Sequence, residues 1–232
     1  MVKRLLVRRG FAVDATLDRM REDIIRGRYA PNSKLFPKAI AKEHGTSFIP
    51  VREALRILES EGFVTFVNNR GTWVTPLSIE DAKDLYATRI EIESSAVRQA
   101  TPFSSEELDT LDEVLDEIRI RNAEHKAAEV VKLNRCFHFS LYEKSNSPRR
   151  MRLIEQLWLH SERYQRMSVK QRGDAGDAEH RAILGALRLG NHDAAADLLA
   201  EHLRTTIDLL ASSFTDEMTT PIENRSPDFE KR

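Results

Sequence analysis

Cysteine is almost missing from this chain: Cys136 is the single one among 232 residues. That count excludes an intramolecular disulfide and is the usage of a reducing compartment. Long apolar runs are missing too. No stretch approaches the ~20 residues that cross a bilayer, and no secretory apolar core follows Met1. A membrane protein and an exported one are both disfavoured, and a cytoplasmic location is expected. Net charge is nearly absent as well, at −1. The balance hides an asymmetry, however. Residues 1–76 carry 14 Lys/Arg against 8 Asp/Glu, a net of +6, which leaves 22 against 29, a net of −7, for residues 77–232. A basic front and an acidic back point to a polyanion bound at one end only.

The basic front holds the most informative stretch. Residues 47–62 form an amphipathic segment that starts at Ser47, carries Arg52 and Arg56, and stops at Gly62. A shorter helical segment runs from Pro37 to His44, and Gly45-Thr46 links the two. Two short helices joined by a tight glycine-containing turn make a helix-turn-helix, here residues 36–61, whose second helix suits the DNA major groove. Phe63-Val-Thr-Phe-Val67 and Thr72-Trp-Val-Thr75 then read as strands around the turn Asn68-Asn-Arg-Gly71. Together they predict a winged helix-turn-helix with its wing at 63–75. Val13, Leu17, Met20 and Ile24 recur at helical spacing, so 12–26 is a supporting helix, and 28–34 is a loop.

Beyond Pro76 every periodic segment is helical. Ser78-Ile-Glu-Asp81 opens a helix to about residue 100, and Ser104 with Glu107 caps the next. Further helices are expected over about 127–144, 148–169, 177–189 and 193–214, with a flexible break at 173–176. The fold class is therefore mainly α: residues 1–76 a winged helix-turn-helix, residues 77–214 an all-α antiparallel six-helix bundle, and residues 215–232, polar and without an apolar period, an expected disordered tail.

Histidine placement is the second signal. His138, His180 and His202 each fall on the apolar stripe of a different predicted helix, and Asn134 lies one turn before His138 on the same side. Three inward imidazoles and an amide oxygen can converge on a divalent cation, zinc or nickel being the best suited. A histidine on an apolar face is equally a core residue with its nitrogens satisfied by backbone or water. Arg89 precedes Glu93 by one turn and reads either as a grip for a carboxylate or as an exposed ion pair worth a few tenths of a kcal/mol. Cys136, Phe137 and Trp158 read as packing residues.

Pro50-Val-Arg-Glu-Ala-Leu-Arg-Ile-Leu-Glu-Ser-Glu-Gly62 closely resembles the signature of the GntR family of bacterial transcription regulators, and the likeness covers 12–76. Residues 79–214 are similar to the FCD effector domain of its FadR subfamily. That likeness rests on Asp84-Leu-Tyr-Ala-Thr-Arg-Ile-Glu-Ile-Glu93, Asn134-Arg-Cys-Phe-His138, Ser145-Asn-Ser-Pro148, Glu179-His-Arg-Ala-Ile-Leu184 and Gly190-Asn-His-Asp-Ala-Ala-Ala196 leading to His202. The resemblance implies a metal held by Asn134, His138, His180 and His202, and Arg89 aimed at an effector carboxylate. Two departures stand out. Asn134 occupies a position where Asp is common, and Phe48 one where the family usually has Arg.

The expected function is a homodimeric, ligand-responsive regulator, a repressor by preference, that binds a double-stranded operator and a small organic acid. Its candidate DNA-binding residues are Lys38, Ser47, Phe48, Arg52, Arg70 and Gly71. Arg52 is placed for base edges, and Lys38 and Arg70 for phosphates. The plainer reading of Arg52 is a surface pair with Glu53 or Glu59. The rival function is a metal-dependent hydrolase built on the three histidines. No H-E-x-x-H helix supplies a glutamate as general base, and an enzyme leaves the winged helix unexplained, so no enzymatic activity is expected.

Overall fold

The computed structural model describes residues 2–212, leaving aside the side chains of 2–11 and 166–174. The expected tail, 215–232, lies outside the described residues. The chain forms two compact units, divided between Ser78 and Ile79.

In the first unit, α1 (Val2–Ile25) leads through a turn at Gly27 to β1 (Lys34–Leu35). Next come α2 (Pro37–Glu43), α3 (Phe48–Ser60), β2 (Val64–Val67) and β3 (Gly71–Val74). Gly45 takes φ +62 between α2 and α3, a left-handed turn that a residue with a Cβ adopts only at a cost. Pro37 opens α2, where its missing N–H is no loss. The apolar side of α3, Val51, Ala54, Leu55 and Leu58, is buried, as are Met20 and Ile24 of α1. The Arg21 guanidinium donates to both Glu61 carboxylate oxygens at 2.8 and 3.1 Å, pinning α1 to the end of α3.

The sheet is antiparallel in the order β1-β3-β2, with Lys34 opposite Trp73 and Val64 opposite Val74. The wing turn closes with Asn69 and Gly71 at φ +61 and +91 and an Arg70 N–H to Val67 carbonyl bond of 3.0 Å. Two differences from the sequence reading appear here. β1 lies at the end of the expected loop, because Lys34 and Leu35 can extend against β3. In addition, α1 begins ten residues earlier than its apolar period suggested.

The second unit is wholly helical: α4 (Ile79–Arg98), α5 (Ser105–Ala123), α6 (Ala127–Glu143), α7 (Pro148–Arg188) and α8 (His192–Ala211). The capping box at Ser104 is present in both directions: Ser104 Oγ accepts from the Glu107 N–H, and Glu107 accepts from the Ser104 N–H. The expected break at 173–176 does not occur. The fourth and fifth predicted helices run on as α7, 41 residues long. Glycine inside a helix costs about 1 kcal/mol, and α7 offsets this by packing on α4, α5, α6 and α8. The bundle core runs through Tyr86, Leu115, Phe137, Leu141, Ile154, Trp158, Ile183 and Leu199, all fully buried. Among the described residues no helix is long and apolar enough to cross a membrane.

Candidate functional site

Helix α3 separates its faces sharply. Its first residue, Phe48, is 41% exposed and Ile49 57%, whereas Pro50 and Val51 turn inward. Arg52 is exposed, with its guanidinium carbon 5.7 Å from the centre of the Phe48 ring. The two acids expected as surface partners are engaged elsewhere: Glu53 pairs with Arg56 at 3.2 Å, and Glu59 accepts the Phe66 N–H at 3.2 Å. Lys38 on α2, Ser47 at the start of α3 and Arg70 at the wing tip are exposed too, and Gly71 closes the wing turn.

In the helical unit the four expected ligands and Arg89 line one cavity of about 60 Å³. His138 comes from α6, His180 from α7 and His202 from α8; all three are buried, and their ligand atoms lie within 4.8 Å of one another. The Nε2 atoms of His138 and His180 face each other at 3.2 Å. A tetrahedral ion with bonds of ~2.0–2.1 Å sets its nitrogen donors roughly 3.3 Å apart, so this spacing fits a shared cation.

Two of the outward nitrogens are held by neighbours. Tyr142 Oη lies 3.1 Å from His138 Nδ1, and Glu179 Oε2 lies 2.8 Å from His202 Nδ1. Such partners orient an imidazole so that its other nitrogen faces inward. Asn134 is half-buried one turn before His138. His44 belongs to the other unit and pairs with Asp23 at 3.1 Å; His192 stacks on Phe103. Neither joins the cluster.

Arg89 departs from the plainer sequence reading, the exposed ion pair. It is paired with Glu93, Nε to Oε1 at 2.6 Å and Nη2 to Oε2 at 3.2 Å, yet the two side chains are only 1% and 0% exposed. A buried i, i+4 pair is a different object from a solvated one: removing either partner strands the other charge. Its guanidinium carbon lies 4.8 and 4.6 Å from the Tyr86 and Trp158 ring centres. Nη1 is buried without a hydrogen-bond partner among the described residues, an orphan donor on a side chain that lines the cavity. Burial disfavours the Arg89 cation, but the Glu93 carboxylate outweighs it and holds the pKa above the ordinary range. Tyr142 also donates to Glu93. Burial first, and that carboxylate second, push its phenol well above the usual tyrosine value.

A chain of hydrogen bonds therefore runs from Arg89 through Glu93 and Tyr142 to His138. Sequence spacing showed the intrahelical step from Arg89 to Glu93, but not the step between α4 and α6. Asp177 is a residue that the sequence reading missed. It lines the same cavity, its Oδ2 accepts from Arg181 at 2.9 Å, and its Oδ1 is buried without a partner among the described residues. Its place three residues before His180, on the same helical side, was the available signal. Trp158, read as packing, is fully buried and also lines the cavity. Cys136, read likewise, is exposed. Two residues before His138 is about 200° around α6, which turns it away from the core.

The comparisons with known proteins agree with both halves of this picture. Residues 13–74 match the family described as bacterial regulatory proteins, gntR family, and residues 84–205, just over half the chain, match the FCD domain. An uncharacterised helix-turn-helix-type transcriptional regulator, BphR of Paraburkholderia xenovorans, is 30% identical over 207 residues, 85% of this chain and 84% of its own. YdhC of Bacillus subtilis, named likewise, is 28% identical over 80% of this chain and 84% of its own. Among solved structures, a GntR transcriptional regulator from Rhodococcus sp. RHA1 superposes with a TM-score of 0.74 at 25% identity, over 88% of this chain and 99% of its own. These relatives are named as regulators of transcription, not as enzymes, which removes the hydrolase alternative. The chain belongs to the GntR family of bacterial DNA-binding transcription regulators, in its FadR-like branch with an FCD domain.

Proposed function

We propose that the protein is a cytoplasmic homodimeric repressor whose operator affinity is set by a small carboxylate bound beside a divalent cation in the helical unit. The observation that carries this reading is the cavity that gathers Arg89, Asn134, His138, His180 and His202. His138, His180 and His202 would hold the ion through nitrogen and Asn134 through its amide oxygen. Zinc or nickel suits that donor set, and such an ion supplies a Lewis-acidic seat for an anion. Asn134 brings no charge, so an anionic ligand is favoured over a neutral one. Arg89 offers Nη1, since Glu93 occupies the rest of its fork. A cavity of about 60 Å³ has room for roughly four to six water-sized groups, so the acid is short.

On the DNA side, Arg52 faces base edges, while Lys38, Ser47 and Arg70 face the backbone and Gly71 lets the wing turn approach it. A dimer presents two such heads. An effector alters affinity only by preferring one arrangement of the heads over another. The first test is elemental analysis of protein purified without chelator or a metal-affinity step. One ion per chain is expected for the wild type, and a loss for His138→Ala, His180→Ala and His202→Ala but not for His160→Ala or His192→Ala. Metal-free wild type whose melting is unmoved by added zinc or nickel would reduce the cluster to ordinary core.

A further inference from the structure

Phe48 and Ile49 stand in solvent at the first turn of α3, next to a buried face that needs neither. At 100° per residue, positions 48, 49, 52 and 56 lie within an arc of about 100° that is separate from, and on the Phe48 side adjacent to, the arc of Val51, Ala54, Leu55 and Leu58. The outward stripe of the helix is thus two apolar side chains followed by two arginines. Arg56 is tied to Glu53, whereas Arg52 is exposed with its guanidinium carbon over the Phe48 ring, 5.7 Å from its centre. A cation over an aromatic face loses rotamer freedom, so Arg52 and Phe48 present themselves as one preformed surface.

The first residues of a recognition helix are those that meet base edges in the major groove. There the only apolar feature of any base pair is the thymine 5-methyl group, whereas a guanidinium matches the paired acceptors O6 and N7 of guanine. From this geometry we infer that Phe48, flanked by Ile49, reads a thymine methyl in each operator half-site, and that Arg52 reads a guanine close to it. Side chains at i and i+4 lie ~6 Å apart along the helix, which spans at most two base-pair steps of ~3.4 Å. The half-site therefore contains a thymine and a guanine within two positions of each other. This inference rests on the assignment of α3 as the recognition helix.

The test uses the full-length protein and an operator selected in vitro from random duplex DNA. Each thymine of the selected site is replaced in turn by deoxyuridine, which deletes the 5-methyl group alone. Affinities are measured by fluorescence anisotropy at one salt concentration. One thymine per half-site is expected to lose about fourfold on substitution, and both together about fifteenfold, the value of one buried methyl group each. Phe48→Ala should bind the thymine operator more weakly, melt like the wild type, and no longer distinguish thymine from deoxyuridine. Deoxyuridine tolerated at every position, or a Phe48→Ala protein that keeps the full thymine preference, overturns the inference while leaving DNA binding by α3 intact. Failure to enrich any duplex removes the recognition-helix assignment and the inference with it.

Discussion

In the winged unit Phe36, Phe48, Ile49 and Phe66 stand between 41% and 60% exposed, whereas in the helical unit Arg89, Glu93, His138, His180 and His202 are all at or below 4%. The winged unit turns three phenylalanines to solvent, where the helical unit exposes only aliphatic side chains such as Leu153 and Leu189 and hides charge and imidazole in its core. Each placement is costly for an isolated protein, since exposed aromatics gain nothing from folding and buried ions lose their hydration. The costs differ in kind. At the surface a substitution alters recognition and leaves the fold alone. In the bundle the same groups are part of the packing, so a substitution there acts on stability as well.

The sharpest break in that comparison is at Glu93. Glu93→Ala leaves the Arg89 cation buried without its carboxylate, and loss of about 3–5 kcal/mol is expected in urea unfolding monitored by helical signal. A loss below 1 kcal/mol would mean that water reaches Arg89 and that the bundle core is no drier than the winged surface. Next in size is the ion. Zinc or nickel at a hundred times its dissociation constant should stabilise the native protein by about 2.7 kcal/mol, read as a rise in melting temperature, and should do nothing for His180→Ala. Equal rises in both proteins would point to binding elsewhere.

On the exposed side, Arg52→Ala is expected to weaken operator binding by about 1–3 kcal/mol in a mobility-shift assay and to relax sequence preference, with melting unchanged. Lys38→Ala should instead weaken all duplexes alike and flatten the salt dependence. The smallest effect belongs to the surface of the bundle. Hydrogen bonding from Lys144, and then from the Ser104 backbone, lowers the Glu107 pKa. Its contribution is therefore present above the ordinary glutamate value and lost as pH falls through the lowered one. Wild type and Glu107→Gln should differ in melting temperature at neutral pH and converge in acid.

Local chemistry made much of this legible in the chain. The glycine at 45, the capping box at Ser104 and the period of α3 act within a few residues, and the elements they define appear where expected. Longer-range features did not show. β1 is two residues long and exists only because β3 lies beside it. α7 continues through its glycines because neighbouring helices hold both of its halves. The three histidines were findable because each lies on an apolar stripe, where imidazole is out of place. Glu93 meeting Tyr142 across α4 and α6 depends on how helices pack, which periodicity within one helix does not encode, whereas Asp177, three residues before His180, was within its reach. Arg89 shows the limit most plainly: the i, i+4 spacing was correct, and burial reversed its meaning.

Operator affinity, measured on metal-loaded protein with and without a panel of short organic acids, tests the central claim most directly. At least one acid should shift the dissociation constant by ~5–150-fold, a typical coupling free energy. His180→Ala should still bind operator but lose the shift. An acid that binds the helical unit and leaves operator affinity unchanged would contradict the account.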